Sequence, residues 1–529
     1  MARSWGGAMT HIRRNVHRLQ PGWNPAIFWY ARAVRELQRR PLNDPTGWRF
    51  LAAMHGFDKR LWGVHGYFSA FDTPPTAKVQ DRLWRQCQHQ SWYFLPWHRG
   101  YLAAFEAIIR ATVADLGGPS DWALPYWNYH DGGPRSKGIP DVFLAPIMPD
   151  GSANPLRADG RWGGPNEDGS GALVDLSIAT LRPALEDDRF ERPAPQVGVT
   201  GGFGGPQTQF NWHTGANGAL EANPHNFIHG MTGGFQRRGS DALPGLMSHP
   251  WTAALDPIFW LHHANIDRLW EVWRTRALNH TEPTAPDWLQ GPIDRAFEVP
   301  DPSGAFHVFV AADMLDTRAP NLDYEYDDIT DPLIGGSGRL LSRLNRFSLG
   351  FSTDSSSFLV RVMDETTPIE LIGANSSAVS LARPETVVPV RMDREGSRKL
   401  QASFLRERTA SEVIEPDRVF LNIEGVRGRN DALIFKVYLN LPHDAEPSEH
   451  PDLYAGAFSL FGVDQASRSD SPHGGGGLTQ VIEITRVVDY LQFAGEGLPD
   501  LSVRFVAQGD VQPEDRITVD RISVYRLGE

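Results

Sequence analysis

A mainly α-helical domain followed by an all-β sandwich or barrel is the fold this sequence predicts, from three changes of texture along the chain. Helical periodicity dominates residues 25–116 and returns over 223–276, Gly and Pro crowd the stretch between, and short alternating runs take over after residue 340. The expected layout is a helical domain over residues 1–330, a linker over 331–345 and a β domain over 346–529. A chain of 529 residues is too long for one ordinary core, so two domains are also the default from length.

Each element has its own signal. Trp29 to Leu37 is amphipathic at helical spacing, and apolar residues recur at that spacing from Phe94 to Val113. Pro96 stands near the start of that run, where a missing N–H costs nothing. The segments GGPNEDGSG, GVTGGFGGPQ and GANG, all between 117 and 220, predict long surface loops. Asn223–Met231 and Asp256–Arg276 are again helical, and DPLIGGSGRL at 331–340 has the composition of a linker. Beyond it, strands are expected at Phe358–Val362, Val387–Arg391, Val419–Ile423, Ile434–Leu439, Ser502–Val506 and Arg521–Tyr525. No fixed-period repeat is present.

Composition narrows the function. The net charge is −13 and no Lys/Arg run is long enough to form a basic tail, which argues against nucleic acid or an anionic membrane as the main partner. No stretch approaches the roughly 20 apolar residues that span a bilayer, and the N-terminus lacks the apolar core of a secretory signal. A cytoplasmic protein is the expectation. The single cysteine, Cys87, rules out an internal disulfide.

Chemistry concentrates in two histidine groups. His65, His89 and His98 fall in one helical region, with His55 close by. Imidazole ligates copper, zinc, iron and nickel, so three such groups in a bundle can hold one ion. One histidine beside aromatics would more often be a packed core residue. In the second group His225 and His229 stand at i and i+4, which stacks two imidazoles on one helical face. His262 and His263 are adjacent and point about 100° apart, so only one of them joins the same ion. Asp267, four residues after His263, is placed to orient a ligand. Asn226 follows His225 where a zinc protease needs Glu, so that class is disfavoured. Two all-histidine clusters point to a dinuclear site, with copper favoured and zinc still open.

At these residues the sequence resembles the tyrosinase and polyphenol oxidase family, the type 3 dicopper proteins. Its first motif is similar to His89, Phe94, Leu95, Trp97, His98, Arg99 and Glu106, and its second to Asp256, Pro257, Phe259, Trp260, His263 and Asp267. The resemblance makes His263, not His262, the ligand. It selects His65, which leads into a Thr-Pro-Pro turn, over His55. His225 and His229 match the Pro-His-Asn-x-x-His pair of plant enzymes. The implied ligands are thus His65, His89 and His98 for one copper ion and His225, His229 and His263 for the other, in a four-helix bundle. IRRNVHRL resembles the family's domain start, Tyr324-Glu325-Tyr326 the close of its catalytic domain, and FKVYLNLP and YAGAFSLF its C-terminal β domain.

Further expectations come with the resemblance. Cys87 and His89 resemble the Cys-x-His thioether of fungal tyrosinases and hemocyanins. Glu221 and Asn226 occupy the positions that hold a catalytic water in plant enzymes, a sensible proton acceptor for a phenol of pKa about 10. Pro250 stands where plant catechol oxidases often place a gating Phe. The implied reaction uses O2 to ortho-hydroxylate monophenols and oxidise o-diphenols to o-quinones, with the β domain as a lid over the site of a latent enzyme. The alternatives are a catechol or o-aminophenol oxidase without hydroxylation, an oxygen carrier, and a zinc hydrolase. Partners are phenolic small molecules and O2, and a homo-oligomer is compatible.

Overall fold

The computed structural model describes residues 11–528 except 20, 134, 164–173, 194–197, 212–214, 277–279, 334–342, 344–358, 362–366, 406–411, 415, 471–474 and 494–499. Most of the expected linker and most of GGPNEDGSG therefore lie outside the described residues. Among the described residues no helix is long and apolar enough to cross a membrane. The chain divides into two compact units: residues 1–192, 202–213 and 218–332 form one, and 193–201, 214–217 and 333–529 form the other.

The first unit is built on helices α1 (Pro25–Arg39), α2 (Trp48–His55), α3 (Phe94–Asp115), α4 (Asn226–Gly233) and α5 (Pro257–Thr275), joined by long loops with short elements. Asn24 caps α1 by accepting from the amides of Ala26 and Ile27, and Pro25 fills the first helical position. The same device starts α5: Asp256 accepts from Ile258 N, and Pro257 follows it. The Asp-Pro pair is thus a helix start, and the Asp256 carboxylate is also bonded by Arg161. Trp260 of α5 stacks on Phe105 of α3 with centroids 3.5 Å apart, joining the two long helices through their rings. The expected helix from Asn223 begins later: a π-type turn covers Glu221–His225, with Asn223 extended inside it, before α4 proper.

The two ends of this unit close on each other. Strand β1 (His11–Arg13) pairs in parallel with β3 (Tyr324–Tyr326), which brings IRRN beside the Tyr-Glu-Tyr segment. Arg13 is fully buried there, its guanidinium bonded to Glu106 and, at 3.1 Å, to Asp267. Tyr324 and Tyr326 hydroxyls each lie 2.6 Å from Oδ2 of Asp267, and Arg99 Nε donates to Oδ1 at 2.6 Å. The motif residues Arg99, Glu106 and Asp267 are therefore members of one buried ion network. This corrects the expectation that Asp267 orients a ligand histidine.

Among the described residues the second unit is built on a nine-stranded sheet, with two separate short pairs beside it, Leu359–Arg361 with Glu412–Ile414 and Val379–Ser380 with Thr518–Val519. The sheet's strands in chain order are β2 (Gly215–Ala216), β4 (Ile369–Ala374), β5 (Glu385–Met392), β6 (Arg418–Val426), β7 (Ile434–Leu439), β8 (Tyr454–Ser459), β9 (Leu478–Glu483), β10 (Asp500–Gln508) and β11 (Arg521–Leu527). Their spatial order is β8-β7-β10-β5-β4-β11-β6-β9-β2, all antiparallel except the last pair. The sheet curls: Gln480 of β9 donates to Ser459 O of β8 at 3.2 Å, so the first and eighth strands meet. The result is nearer a barrel than a sandwich. It is not purely β, because helices α6 (Arg394–Leu405) and α7 (Thr485–Phe493) pack against it. Two short pieces of the N-terminal half also join this unit, one adding β2 to the sheet edge and one setting Gly198 against Ile369 and Tyr525.

Candidate metal centre

Helices α2, α3, α4 and α5 and the turn before α4 deliver six ligand-type histidines, and the loop before α3 adds Cys87 and His89, so that two groups form: His55, Cys87, His89 and His98 in one, His225, His229, His262 and His263 in the other. Within each group one potential ligand atom per residue lies within 4.8 Å of the others, and all eight residues are buried. The groups adjoin, since the rings of His98 and His263 stack at 4.4 Å and those of His89 and His225 stand 5.6 Å apart.

The first group corrects the sequence expectation. His55, not His65, stands with His89 and His98: its ring is 5.7 Å from that of His89 and 5.8 Å from that of His98. The reason lies in the elements. His55 ends α2, a helix in which every residue but Arg49 is buried, and its ring lies against His98 of α3 and Phe259 and His263 of α5. His65 caps a short helix at Lys59–Val64, stacks on Trp162 at 5.3 Å and bonds Pro244 O through Nε2. The signal available beforehand was the apolar run from Phe50 to Met54 leading into His55; a Thr-Pro-Pro turn downstream of His65 outweighed it.

In the second group the i, i+4 pair is realised, with the rings of His225 and His229 4.5 Å apart. His263 Nε2 lies 3.3 Å from His229 Nε2, which in turn is 3.1 Å from His225 Nε2. His262 is also present, its ring 4.9 Å from that of His229 and neither of its nitrogens hydrogen-bonded.

The donor set fits metal ions for a reason visible in the hydrogen bonds. Carbonyl oxygens only accept, so His55 Nδ1 donates to Pro250 O, His98 Nδ1 to Phe94 O and His229 Nδ1 to Met247 O, each at 2.7 Å. His225 Nδ1 donates in the same way to Asn226 Oδ1 at 2.8 Å, and His89 Nδ1 to Glu221 at 2.8 Å. With Nδ1 protonated, each of these rings turns its Nε2 lone pair into its group, the arrangement that hydrogen bonds behind metal-bound histidines enforce. Two lone pairs 3.1 Å apart repel unless a cation lies between them. A proton is a poor candidate, because burial depresses these imidazoles: His55 to about 4, His225 to about 3, and His98, His229 and His263 well below their usual value. Two histidine groups of this kind fit a dicopper site.

The neighbouring candidates fall as follows. Glu221 is buried and accepts from Gln90 N at 2.8 Å as well as from His89. Gln90 takes a positive φ of 54° to aim that amide. Burial pushes the Glu221 carboxyl up to about 8, against the pull of those amides. Asn226 holds His225. Each member of the expected Glu–Asn pair thus orients a ligand in addition to any part it takes with water. Cys87 belongs to the first group, its Sγ 3.4 Å from His98 Nε2. Pro250 is buried, and its carbonyl accepts from His55 Nδ1.

Comparison with known proteins agrees with this arrangement. Residues 45–276, which span both histidine groups, match the common central domain of tyrosinase, and residues 368–527 match DUF7868, a domain of unknown function. Tyrosinase HcTyr1 of Hahella sp. (strain CCB-MM4) is 30% identical over 533 residues, covering 97% of this chain and 98% of that protein. The chloroplastic polyphenol oxidase of Malus domestica is 25% identical over 462 residues, 85% of this chain and 68% of that protein. The fold is similar to that of latent apple tyrosinase, with a TM-score of 0.58 at 20% identity over 100% of this chain and 99% of that one. Two buried histidine groups inside the matched central domain, and a relative aligned across both units, place the chain in the tyrosinase family, with an additional C-terminal domain.

Proposed function

We propose that the protein uses O2 at its dicopper site to ortho-hydroxylate monophenols and to oxidise o-diphenols to o-quinones. The observation that carries this reading is Glu221, a buried carboxylate bonded to His89 where the first histidine group faces His225 of the second. Bound copper supplies the oxidising chemistry with O2. The chain's own part is to orient five imidazoles through Nδ1, to keep bulk water from a buried centre and to take a proton. A phenol of pKa about 10 must lose its proton as it becomes a ligand, and Glu221 is the acceptor at hand once its carboxyl, pushed up to about 8 by burial, is ionised. Asn226, one residue from His225, completes the pair that resembles the water-holding residues of plant enzymes. The relative named tyrosinase, alignable over almost the whole chain, supports the same substrate class.

A second reading is a catechol or o-aminophenol oxidase, which a diphenol's lower demand for a base would allow. It is favoured by the fact that Glu221 and Asn226 both already serve ligand histidines. The copper-loaded chain, cleaved between its units, should turn over a monophenol and the matching diphenol. Glu221→Gln should depress the monophenol rate by at least tenfold more than the diphenol rate, on the order of a general-base contribution. Turnover of the diphenol alone by the unsubstituted protein would establish the second reading instead.

A further inference from the structure

One buried segment touches both histidine groups. Met247-Ser248-His249-Pro250-Trp251 contributes two backbone acceptors, Met247 O to His229 Nδ1 and Pro250 O to His55 Nδ1, both at 2.7 Å. His229 belongs to the second group and His55 to the first. The two acceptors are three positions apart in sequence, so they stand no more than ~10 Å apart along the chain.

The segment is held on every side. Ser248 Oγ donates to Gly234 O at 2.6 Å and to Gly245 O at 3.0 Å, and Trp62 Nε1 donates to Trp251 O at 2.5 Å. Trp251 N donates to His249 Nδ1, and Thr252 Oγ1 bridges to Leu246 O. Two glycines of the ligand helices are pressed against it. Gly56 directly follows His55, and a Cβ there would lie 2.8 Å from Trp251 Cα and 3.0 Å from Pro250 O. Gly233 is one turn past His229, and a Cβ there would lie 2.1 Å from Ser248 N and 2.8 Å from Met247 C. The close approach of both helices to one backbone is what these two glycines permit.

We propose that Met247–Trp251 is a shared positioning strap, which sets the two ligand sets relative to each other by fixing one imidazole of each. In this arrangement α2 and α4 do not place His55 and His229 independently. A shift of the strap turns both rings together, and a shift of either helix end reaches the other group through the strap. The inference rests on the dicopper site, and Met247 and Pro250 act through the histidines they hold.

The test uses Gly56→Ala and Gly233→Ala in the full-length, copper-loaded chain, with copper per chain and the electron paramagnetic resonance signal as readouts. A closely bridged Cu(II) pair is silent by this method, and a pair out of register is visible. Each variant should keep two coppers per chain and show a severalfold larger visible fraction than the unsubstituted protein. Trp62→Phe adds no volume and frees the Trp251 carbonyl from its tie; it should shift the signal in the same direction, and it decides the matter if the alanine variants do not fold. The strap is refuted if all folded variants stay silent with two coppers. It is equally refuted if Gly56→Ala loses only the copper of the first group and Gly233→Ala only that of the second. An unsubstituted protein that fails to take up two coppers would overturn the dicopper reading itself, a distinct outcome.

Discussion

His55 and His65 are the residues on which the chain's own geometry departs from its motif context. Both are followed by Gly, and only the packing of α2 against α3 and α5 brings His55 to the first group. His55→Ala should leave about one copper per chain, and His65→Ala should leave both; metal analysis of the purified variants separates them. Cys87 makes a second prediction at this scale. Its thiol lies in the first group, and joining its sulfur to a carbon of the His89 ring removes two hydrogen atoms, with copper and O2 as oxidant. Mass spectrometry of the copper-exposed protein should find a digest fragment lighter by those two hydrogens, with Cys87 and His89 joined. The same fragment from apoprotein prepared without copper should carry the full mass.

At the scale of elements, the parallel β1–β3 pair and the ion network beneath it explain why the motifs extend beyond their histidines. Arg13 lies 3.5 Å above the ring of Tyr324 and binds both Glu106 of α3 and Asp267 of α5, so it ties the two long helices together near the middle of each. Removing it leaves two buried carboxylates short of a partner, and Arg13→Ala should cost about 3–5 kcal/mol in urea unfolding. The neighbouring arginines hold both carboxyls below their usual value despite burial. Groups with depressed folded pKa values stabilise the fold above the unfolded value, here about 4, and lose that stability as pH falls through the folded values. Thermal midpoints measured downward from pH 6 should therefore drop steeply only below about pH 4, and the drop should be shallower in Arg13→Ala. Neither Arg13 nor Asp267 advertised this in sequence, because the partners are 254 residues apart.

For the whole molecule, the second unit is a curled sheet that recruits two segments from the N-terminal half of the chain. The matched domain of unknown function covers most of it, and the similarity to the Hahella tyrosinase extends over 97% of this chain. The resemblance read from the sequence implies that this unit is a lid over the site, and a lid makes turnover depend on it. Cleavage between residues 331 and 340 should raise diphenol turnover at unchanged copper content. Equal rates before and after cleavage would mean that the second unit has a separate role.

The sequence by itself determined what depends on local pattern: the helical runs at Trp29–Leu37, Phe94–Val113 and Asp256–Arg276, the i, i+4 pair of His225 and His229, the strand runs of the second unit, and the long motifs around His98 and His263. These are legible because periodicity and short-range ligand spacing are properties of neighbouring residues. Tertiary structure alone decided which of two Gly-flanked histidines joins the centre, that Asp267 serves an ion network, that the Pro250 carbonyl accepts from His55, and that the sheet curls and takes a strand from residues 215–216. Those outcomes depend on contacts between residues far apart in the chain. A lone pair's direction or a buried guanidinium's partner is set only when distant elements exclude water together and leave one way to satisfy every polar group.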